Sequence, residues 1–502
     1  MRIHAPRTSP RHSETESMPH PLTLLRTAKG LSHPAYATLV ARTHAELGLG
    51  QMAARREKVS RWESGRTVPE RTAQLAMAHI HGIASDEVRR LGWPHWLDVA
   101  VGDAVLLGQR YSEAGAELAL RSSLHLPTGP CAPALLLRGS ALDLQVRSAL
   151  EQLATPDRTP CYDAGSPAAE QVHWCEARVA SLERQESGTL FPVAELYKAA
   201  HAEHRLVVQL LGVRGPDSPE FRRLLCLAAR TALLCSWLSS ALGEETRAER
   251  HGLAAVRAAA AAGEPVVVAV AFARIAHSHL VAGDPADALA LIRAARTADR
   301  APAPGTGTVL SMAEALALAR QGSAAGATEA LGRAAVSHAA ARRAATPTPD
   351  AWPGIVVHEQ AVTVARGRAA LLLGAPHGAR PYFETLADSL TLPQVAAPSP
   401  RTAVWLLDAV AAYLALGETD LAARAVRRAV DVTGLLPPGL ALQYRRRLAP
   451  YVREPAVRRV LEHLADLSGA ARTARHPKPS ANRREKVASG VPRPGIVMQR
   501  LI

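Results

Sequence analysis

The sequence predicts an all-α protein, and three observations carry that expectation. Aromatic residues make up only 4% of the chain, while Ala and Leu abound. Ala has the highest helix propensity and lets helix axes approach, whereas strands favour aromatic and β-branched residues. No convincing run alternates apolar and polar residues as a half-buried strand would. From residue 241 to 468, a glycine-led template with apolar and small residues at helical spacing recurs five times. A skew towards Ala, Arg and Pro is also what a GC-rich genome produces, so the pattern matters more than the composition. The 502 residues allow about two to four domains.

Residues 1–20 are polar, with Pro, Ser and Arg, and lack the apolar stretch of a signal peptide. They are expected to form a disordered arm. Met18 stands directly before the first structured segment, so Met1 and Met18 both remain open as the start.

Residues 21–97 are expected to form a small domain of four to five helices. Leu22, Leu25, Thr27 and Ala28 make a short amphipathic helix that Gly30 ends. Ser32 can cap the next helix, with Pro34 in its first turn. That helix carries Ala35, Leu39 and Val40 on one side and runs to about Leu47, before the break at Gly48 and Gly50. A third helix is expected from near Ala53 to Glu63, ended by Ser64-Gly65. A fourth follows Pro69, with Ala73, Leu75, Ala76 and Met77 apolar, and stops at Gly82. The segment Trp93-Pro94-His95-Trp96-Leu97 closes the domain. Its two Trp are expected to pack as a staple against the next region, with His95 at the surface.

The net charge of +14 favours polyanionic partners, although an Arg-rich codon bias would give the same total. Within residues 22–97 the charge is local: eleven Lys/Arg against six Asp/Glu. The third helix concentrates it. Val59 and Trp62, three apart, share a face that can enter a core, and Arg55, Arg56, Lys58 and Arg61 project elsewhere. An apolar root with cationic tips suits entry into a DNA major groove, where Arg donates two hydrogen bonds to a guanine edge and Lys and Arg neutralise phosphates. A solvated surface helix would show the same charges.

Leu25-Arg26, then Lys29-Gly30-Leu31-Ser32, then Val59-Ser60-Arg61-Trp62-Glu63-Ser64-Gly65-Arg66-Thr67-Val68-Pro69 together resemble the phage-repressor, or XRE-type, helix-turn-helix family. Ser-x-x-Glu-x-Gly-x-x-x-Pro, from Ser60 to Pro69, is the most specific part. The resemblance implies that Arg56, Glu57, Ser60 and Arg61 belong to the base-facing helix, with Arg55 and Lys58 flanking. It implies phosphate contacts at Ser32, His33 and Arg66, and an ion pair between Arg26 and Glu63 that holds the domain together. The stretch between Leu39-Val40 and Val59-Ser60 is about eight residues longer than the usual spacing of the family it resembles. Gly48 to Met52 are expected to form an extra loop or a helix extension.

In residues 98–240 no repeat is clear. Helices are expected over 168–182, 195–211 and 220–238, with Pro-rich loops at 127–133 and 156–167. From 241 to 468 the template is a Gly, a small residue five on, an apolar residue nine on and a small residue twelve on. Gly283 leads Ala288, Ile292 and Ala295; Gly322 leads Ala327, Leu331 and Ala334; Gly417 leads Ala422, Val426 and Ala429. Gly374 leads Ala379, Phe383 and Leu386, and Gly243 leads Ala248, a departure at Gly252, then Ala255. Gly ends one helix by adopting positive φ, acids such as Glu244, Asp284 and Glu418 start the next, and small residues let the pair touch. This resembles the tetratricopeptide repeat, a solenoid of helical hairpins, with longer, degenerate units. Connections are expected at 300–306 and 345–353. Residues 469–502 read as a basic disordered tail.

Five cysteines, Cys131, Cys161, Cys175, Cys226 and Cys235, with no CxxC pair, are expected to be reduced thiols. His173 and Cys175 lack a second ligand pair at zinc spacing. No phosphate loop, dinucleotide fingerprint, GxSxG or HExxH occurs, so neither an enzyme nor a cofactor is expected. The most apolar run, 265–273, is too short to span a bilayer.

These features lead to a cytoplasmic, nucleoid-associated transcriptional regulator that binds double-stranded DNA as a homodimer. Its helical repeats would receive an unknown peptide, protein or small-molecule effector. The alternative is a non-enzymatic scaffold that uses the repeats to bind a protein or peptide.

Overall fold

The computed structural model describes residues 20–83, 85–126, 135–155, 167–186, 192–215, 218, 220–343, 357–389, 401–433 and 436–475. The expected N-terminal arm at 1–19, the loops at 127–133 and 156–166, the connection at 345–353, the tail from 476 and Cys131 and Cys161 lie outside the described residues. The fold is all-α: among the described residues there are twenty-two α-helices, one 3-10 turn and no strand.

The chain begins with α1 (Pro21–Ala28), α2 (His33–Glu46), α3 (Arg56–Glu63), α4 (Arg71–Ile80), α5 (Ser85–Leu91) and α6 (His95–Gly108). They close around one core that includes Leu22, Leu25, Tyr36, Val40, Val59, Trp62, Met77, Trp96 and Leu97. Local chemistry sets the ends. The His20 ring accepts from the Leu22 N–H at 3.2 Å, and the Ser32 hydroxyl caps α2 through the Ala35 N–H. Gly30 takes φ +66° just beyond α1. The buried stripe of α2 is Tyr36, Ala37, Val40, Thr43 and His44. Ala35, expected inside, is exposed, because it faces away from α4 in the first turn. Trp96 donates its indole N–H to Gln74 of α4 at 3.3 Å, and Gln74 donates in turn to Pro69 O at 2.8 Å. The expected domain edge at 97/98 falls inside α6, which continues to Gly108.

Next come α7 (Glu113–Ser123), α8 (Gly139–Leu153), α9 (Pro167–Glu186), α10 (Val193–Arg214), α11 (Phe221–Ala241) and α12 (Glu245–Ala262). Then follow α13 (Pro265–Ala282), α14 (Pro285–Ala298), α15 (Pro304–Arg320), α16 (Ala324–Arg343), α17 (Ala361–Leu372) and α18 (Pro376–Ser389). The chain ends with α19 (Arg401–Ala415), α20 (Thr419–Thr433), α21 (Pro438–Leu448), a 3-10 turn (Ala449–Tyr451) and α22 (Pro455–Arg475). One core runs from Leu106 to Ala369, so no break separates the regions before and after residue 240. Helix α15 starts at Pro304, inside the expected connection at 300–306, because Pro suits the first helical turn. Helix α22 runs to Arg475, past the expected tail start at 469.

The five template glycines fall between α11 and α12, α13 and α14, α15 and α16, α17 and α18, and α19 and α20. Each pair packs together, and α11, α13, α15, α17 and α19 touch in succession. The small residues five on, Ala248, Ala288, Ala327, Ala379 and Ala422, are all buried. Four of the glycines have positive φ, but Gly283 does not. There the reason is space: a Cβ would lie 2.6 Å from His279 Nδ1 and 2.8 Å from Leu135 Cδ1. The departure at Gly252 has the same kind of cause, since Ile275 Cγ1 of α13 would stand 2.7 Å from an added Cβ.

Every residue of α12 is buried, although the helix carries several charges. Arg250 donates from Nε and Nη2 to the two carboxylate oxygens of Asp103 on α6, each at 2.6 Å. Arg257 donates to Leu106 O and Gln109 O, each at 2.7 Å, and to Gln145 Oε1 at 2.6 Å. It therefore satisfies carbonyls at the C-terminal end of α6 that have no partner inside the helix. Its guanidinium also lies 4.4 Å from the Tyr111 ring centre. Glu249 accepts the backbone N–H groups of Leu136 and Leu137 at 2.6 and 3.0 Å. Nearby, burial pushes the His204 ring down to about 3, so it stays neutral between the hydroxyls of Ser123 and Thr231. Cys175, Cys226 and Cys235 are free thiols.

Helices α11 and α13 are long and apolar enough to cross a membrane by length and composition, and both are mostly buried inside the molecule. The run at 265–273, expected to be too short, continues through Arg274 to Ala282 because the flanking helices cover it.

Two substitutions test this packing. Arg250→Ala leaves the Asp103 carboxylate buried without its counter-charge and is expected to cost about 3–5 kcal/mol in denaturant unfolding. Gly252→Ala is expected to cost about 1–3 kcal/mol through overpacking. In an Ile275→Ala background that cost should shrink, because the obstructing Cγ1 is gone.

Candidate nucleic-acid interface

Helix α3 is anchored from below. Val59 and Trp62 are buried in the N-terminal core, so the opposite side of an eight-residue helix must face solvent. Arg56, Glu57, Ser60 and Arg61 are exposed there, and Lys58 is half-buried at the flank. Arg55 is not helical, contrary to expectation. It is the N-cap residue, with extended φ −108° and ψ 125°, because α3 starts only at Arg56. Ser60, Arg61 and the Arg56–Glu57 pair thus form one polar surface, with Arg55 at its leading edge.

The long connection is a loop, residues 47–55, and not a helix extension. Gly48 and Gly50 have φ +68° and +100°. The Leu49 N–H returns to His44 O at 3.0 Å, and His44 Nδ1 lies 2.9 Å from Gly50 O. The loop therefore folds back on the end of α2. A helix-turn-helix joins its helices by about three to four residues, so this separation departs from that geometry while leaving α3 packed on α2 and α1.

Arg26 and Glu63 are brought together as expected. Arg26 Nε and Nη2 donate to Glu63 Oε1 and Oε2 at 2.6 and 3.2 Å, and Nη1 donates to Leu31 O at 2.7 Å. Burial alone would raise the Glu63 carboxyl, but the bonds from Arg26 and then His33 hold it below the usual carboxylate range. The His33 ring Nε2 lies 2.9 Å from Glu63 Oε2. His33 is thus a third member of the clasp, with its side chain still partly open to solvent. No spacing rule could have found this, since the partners lie thirty residues apart. Ser32 is exposed, but its hydroxyl already accepts from the Ala35 N–H, which leaves its O–H to donate outward. Arg66 is exposed just beyond the turn.

Arg56 Nε donates to Glu57 Oε1 at 3.0 Å. The Glu57 backbone N–H and then the Arg56 guanidinium hold the Glu57 carboxyl below the usual range. Both side chains are well exposed, so solvent screens the pair and each can exchange its partner for another polar group. Val68, two residues past Arg66, is 66% exposed and joins this surface unforeseen. A β-branched residue between Thr67 and Pro69 gives no sequence signal of exposure. Behind the surface, burial pushes the His81 ring down to about 4, and its Nε2 lies 2.9 Å from the Tyr36 hydroxyl.

Among the described residues, no group of three or more His, Cys, Asp or Glu is placed to hold a metal ion. No protein-family model matches the chain, and no curated protein matches it either.

The clasp has a pH signature. Glu63 has a lowered carboxyl pKa in the folded state, so its contribution is complete above the ordinary glutamate value of ~4.3 and is lost as pH falls through the folded value. Glu63→Gln is expected to lower stability at neutral pH by about 1.5–3 kcal/mol. It should also flatten the acid limb of the unfolding profile of the N-terminal unit, followed by Trp fluorescence. An unchanged acid limb would remove Glu63 from the clasp's pH response.

Proposed function

We propose that this protein is a sequence-specific, DNA-binding transcriptional regulator of the XRE helix-turn-helix type, with α3 as its reading helix. The observation that carries the reading is the division of α3: Val59 and Trp62 root it, and Arg56, Glu57, Ser60 and Arg61 stand together on the outer side. Arg56 and Arg61 supply the planar donors that guanine edges accept, and Glu57 can accept from cytosine N4. Arg55, Lys58, Arg66 and Ser32 would contact phosphates and set the register of the helix. His33, with Arg26 and Glu63, holds α3 at a fixed angle to α1 and α2.

In this reading the hairpins from α11 onward form a tetratricopeptide-like array that serves as a sensor or docking domain. The burial of the template alanines and the succession of packed pairs support it. The protein would act in the cytoplasm on the nucleoid, without a chemical step, and as a homodimer. Two small reading units on a paired site supply the affinity that one lacks, with half-sites spaced by about 34–36 Å or multiples of it.

Selection from a randomised duplex pool tests the proposal. The intact chain should enrich a defined motif, and the Arg56→Ala/Arg61→Ala variant should fail to enrich it while keeping its fold. Removing each base contact is expected to reduce discrimination by about 1–3 kcal/mol. Failure of the intact protein to enrich any motif would overturn the reading in favour of a scaffold whose repeats bind a protein or peptide.

A further inference from the structure

The positive charge of the chain is not spread evenly. Residues 98–418 hold 28 Lys/Arg and 31 Asp/Glu, whereas residues 419–502 hold 17 Lys/Arg and only 6 Asp/Glu. The described part of that second excess is concentrated where α21 turns into α22. Arg445, Arg446 and Arg447 form the last turn of α21. Arg453 lies in the short connection, and Arg458 and Arg459 lie at the start of α22. All six are exposed. Glu454 is the one acidic residue between positions 445 and 459.

The corner is firmly seated. Tyr444, Leu448, Ala456, Val457, Val460 and Leu464 are buried beneath it, and the Tyr444 hydroxyl donates to Ala403 O at 2.5 Å. Arg447 Nη1 reaches Leu407 O at 3.4 Å, and Arg459 Nε reaches Pro455 O at 3.3 Å. Among the described residues, none of the six has a carboxylate within 4 Å. Other arginines of the molecule meet local acids, such as Arg121 with Glu117, Arg223 with Glu176, and Arg333 with Glu314 and Glu329; what distinguishes the corner is that six exposed arginines without such a partner fall within fifteen positions. Arg458 and Arg459 also sit near the positive end of the α22 dipole, where cations are disfavoured. Six guanidinium groups within fifteen positions, with Glu454 the one acid among them, make this corner locally cationic and favour an anionic partner.

We infer that the α21–α22 corner is a second contact surface for the phosphate backbone of duplex DNA, independent of base sequence. All six groups are Arg and none is Lys, and the planar guanidinium fork matches phosphate oxygens two at a time. A lipid-surface site would need an apolar face to insert, and Val452 is the one large apolar side chain exposed at the turn. The inference rests on the reading of the chain as a DNA binder but not on α3 being the base reader.

The test measures binding of the full chain to a random-sequence duplex and to the selected motif, by fluorescence anisotropy between about 50 and 200 mM salt. The variant is Arg445→Ala/Arg446→Ala/Arg453→Ala. These three side chains are exposed and hold no carboxylate, so an unchanged thermal melt is expected. Removing one phosphate contact lowers the slope of log K against log salt by about 0.9. The triple variant should therefore lose roughly 2–3 in slope and on the order of tenfold in affinity for the random duplex and the selected motif alike, so that the ratio between the two is unchanged. A control, Arg293→Ala/Arg300→Ala/Arg342→Ala, removes the same charge from exposed positions elsewhere and should leave the slope nearly intact. An unchanged slope in the corner variant, or an equal loss in the control, overturns the inference. So does a corner variant that loses binding to anionic vesicles or an acidic peptide but not to DNA. If the intact protein enriches no motif and the corner variant still loses random-duplex binding, the α3 reading fails while this one stands.

Discussion

The guanidinium of Arg250 and the carboxylate of Asp103 meet with two donors and two acceptors, each bond 2.6 Å long, inside a helix pair that water does not reach. About two turns further along α12, Arg257 covers the carbonyls that end α6. These two side chains decide where α6 lies. Because Trp96, Leu97 and Ala100 of the same helix belong to the N-terminal core, and Leu106 belongs to the large core, α6 is a rigid element shared by both. A desolvated charge pair has a narrow range of acceptable geometries, so displacing α12 without displacing α6 would strand a buried charge. The hairpin region and the N-terminal unit are thus tied together through this contact.

In the N-terminal unit, the clasp of Arg26, Glu63 and His33 performs a similar task on a smaller scale. It joins the end of α3 to α1 and to the start of α2. The hydrophobic root at Val59 and Trp62 sets which side of α3 faces outward, and the clasp sets its tilt. The loop at 47–55 carries little of this burden. Its glycines and the His44 contact return the chain to the domain, so extra length between α2 and α3 is accommodated while α3 stays packed on α2 and α1.

Much of the architecture was legible in the sequence, and the places where it was not have a common cause. Ser32 as a cap, Gly30 as a stop and Val59 with Trp62 as a buried pair follow from residues within one helical turn. So do the template alanines, whose small size is required wherever two helices of a hairpin meet. The Arg26–Glu63 pair came through resemblance rather than spacing. The start of α3 at Arg56, the exposed Ala35 and the continuation of α6 past residue 97 depended instead on which neighbouring helix covered which side. Gly252 looked like a flaw in the template, and it is where Ile275 of the next helix needs room.

The sequence alone therefore determined what local chemistry can settle: helical class, most helix bodies, their caps, the hairpin glycines and a cationic helix with an apolar root. These depend on propensity and periodicity over a few residues. Tertiary structure decided the pairings across distance: His33 with Glu63, Asp103 with Arg250 across 147 positions, and Arg257 with the end of α6. It also decided which arginines are neutralised by neighbouring acids and which, at the α21–α22 corner, are left facing solvent. A charge's partner is chosen by packing of distant segments and by the cost of leaving it unpaired in a dry core, and neither quantity is encoded in spacing along the chain.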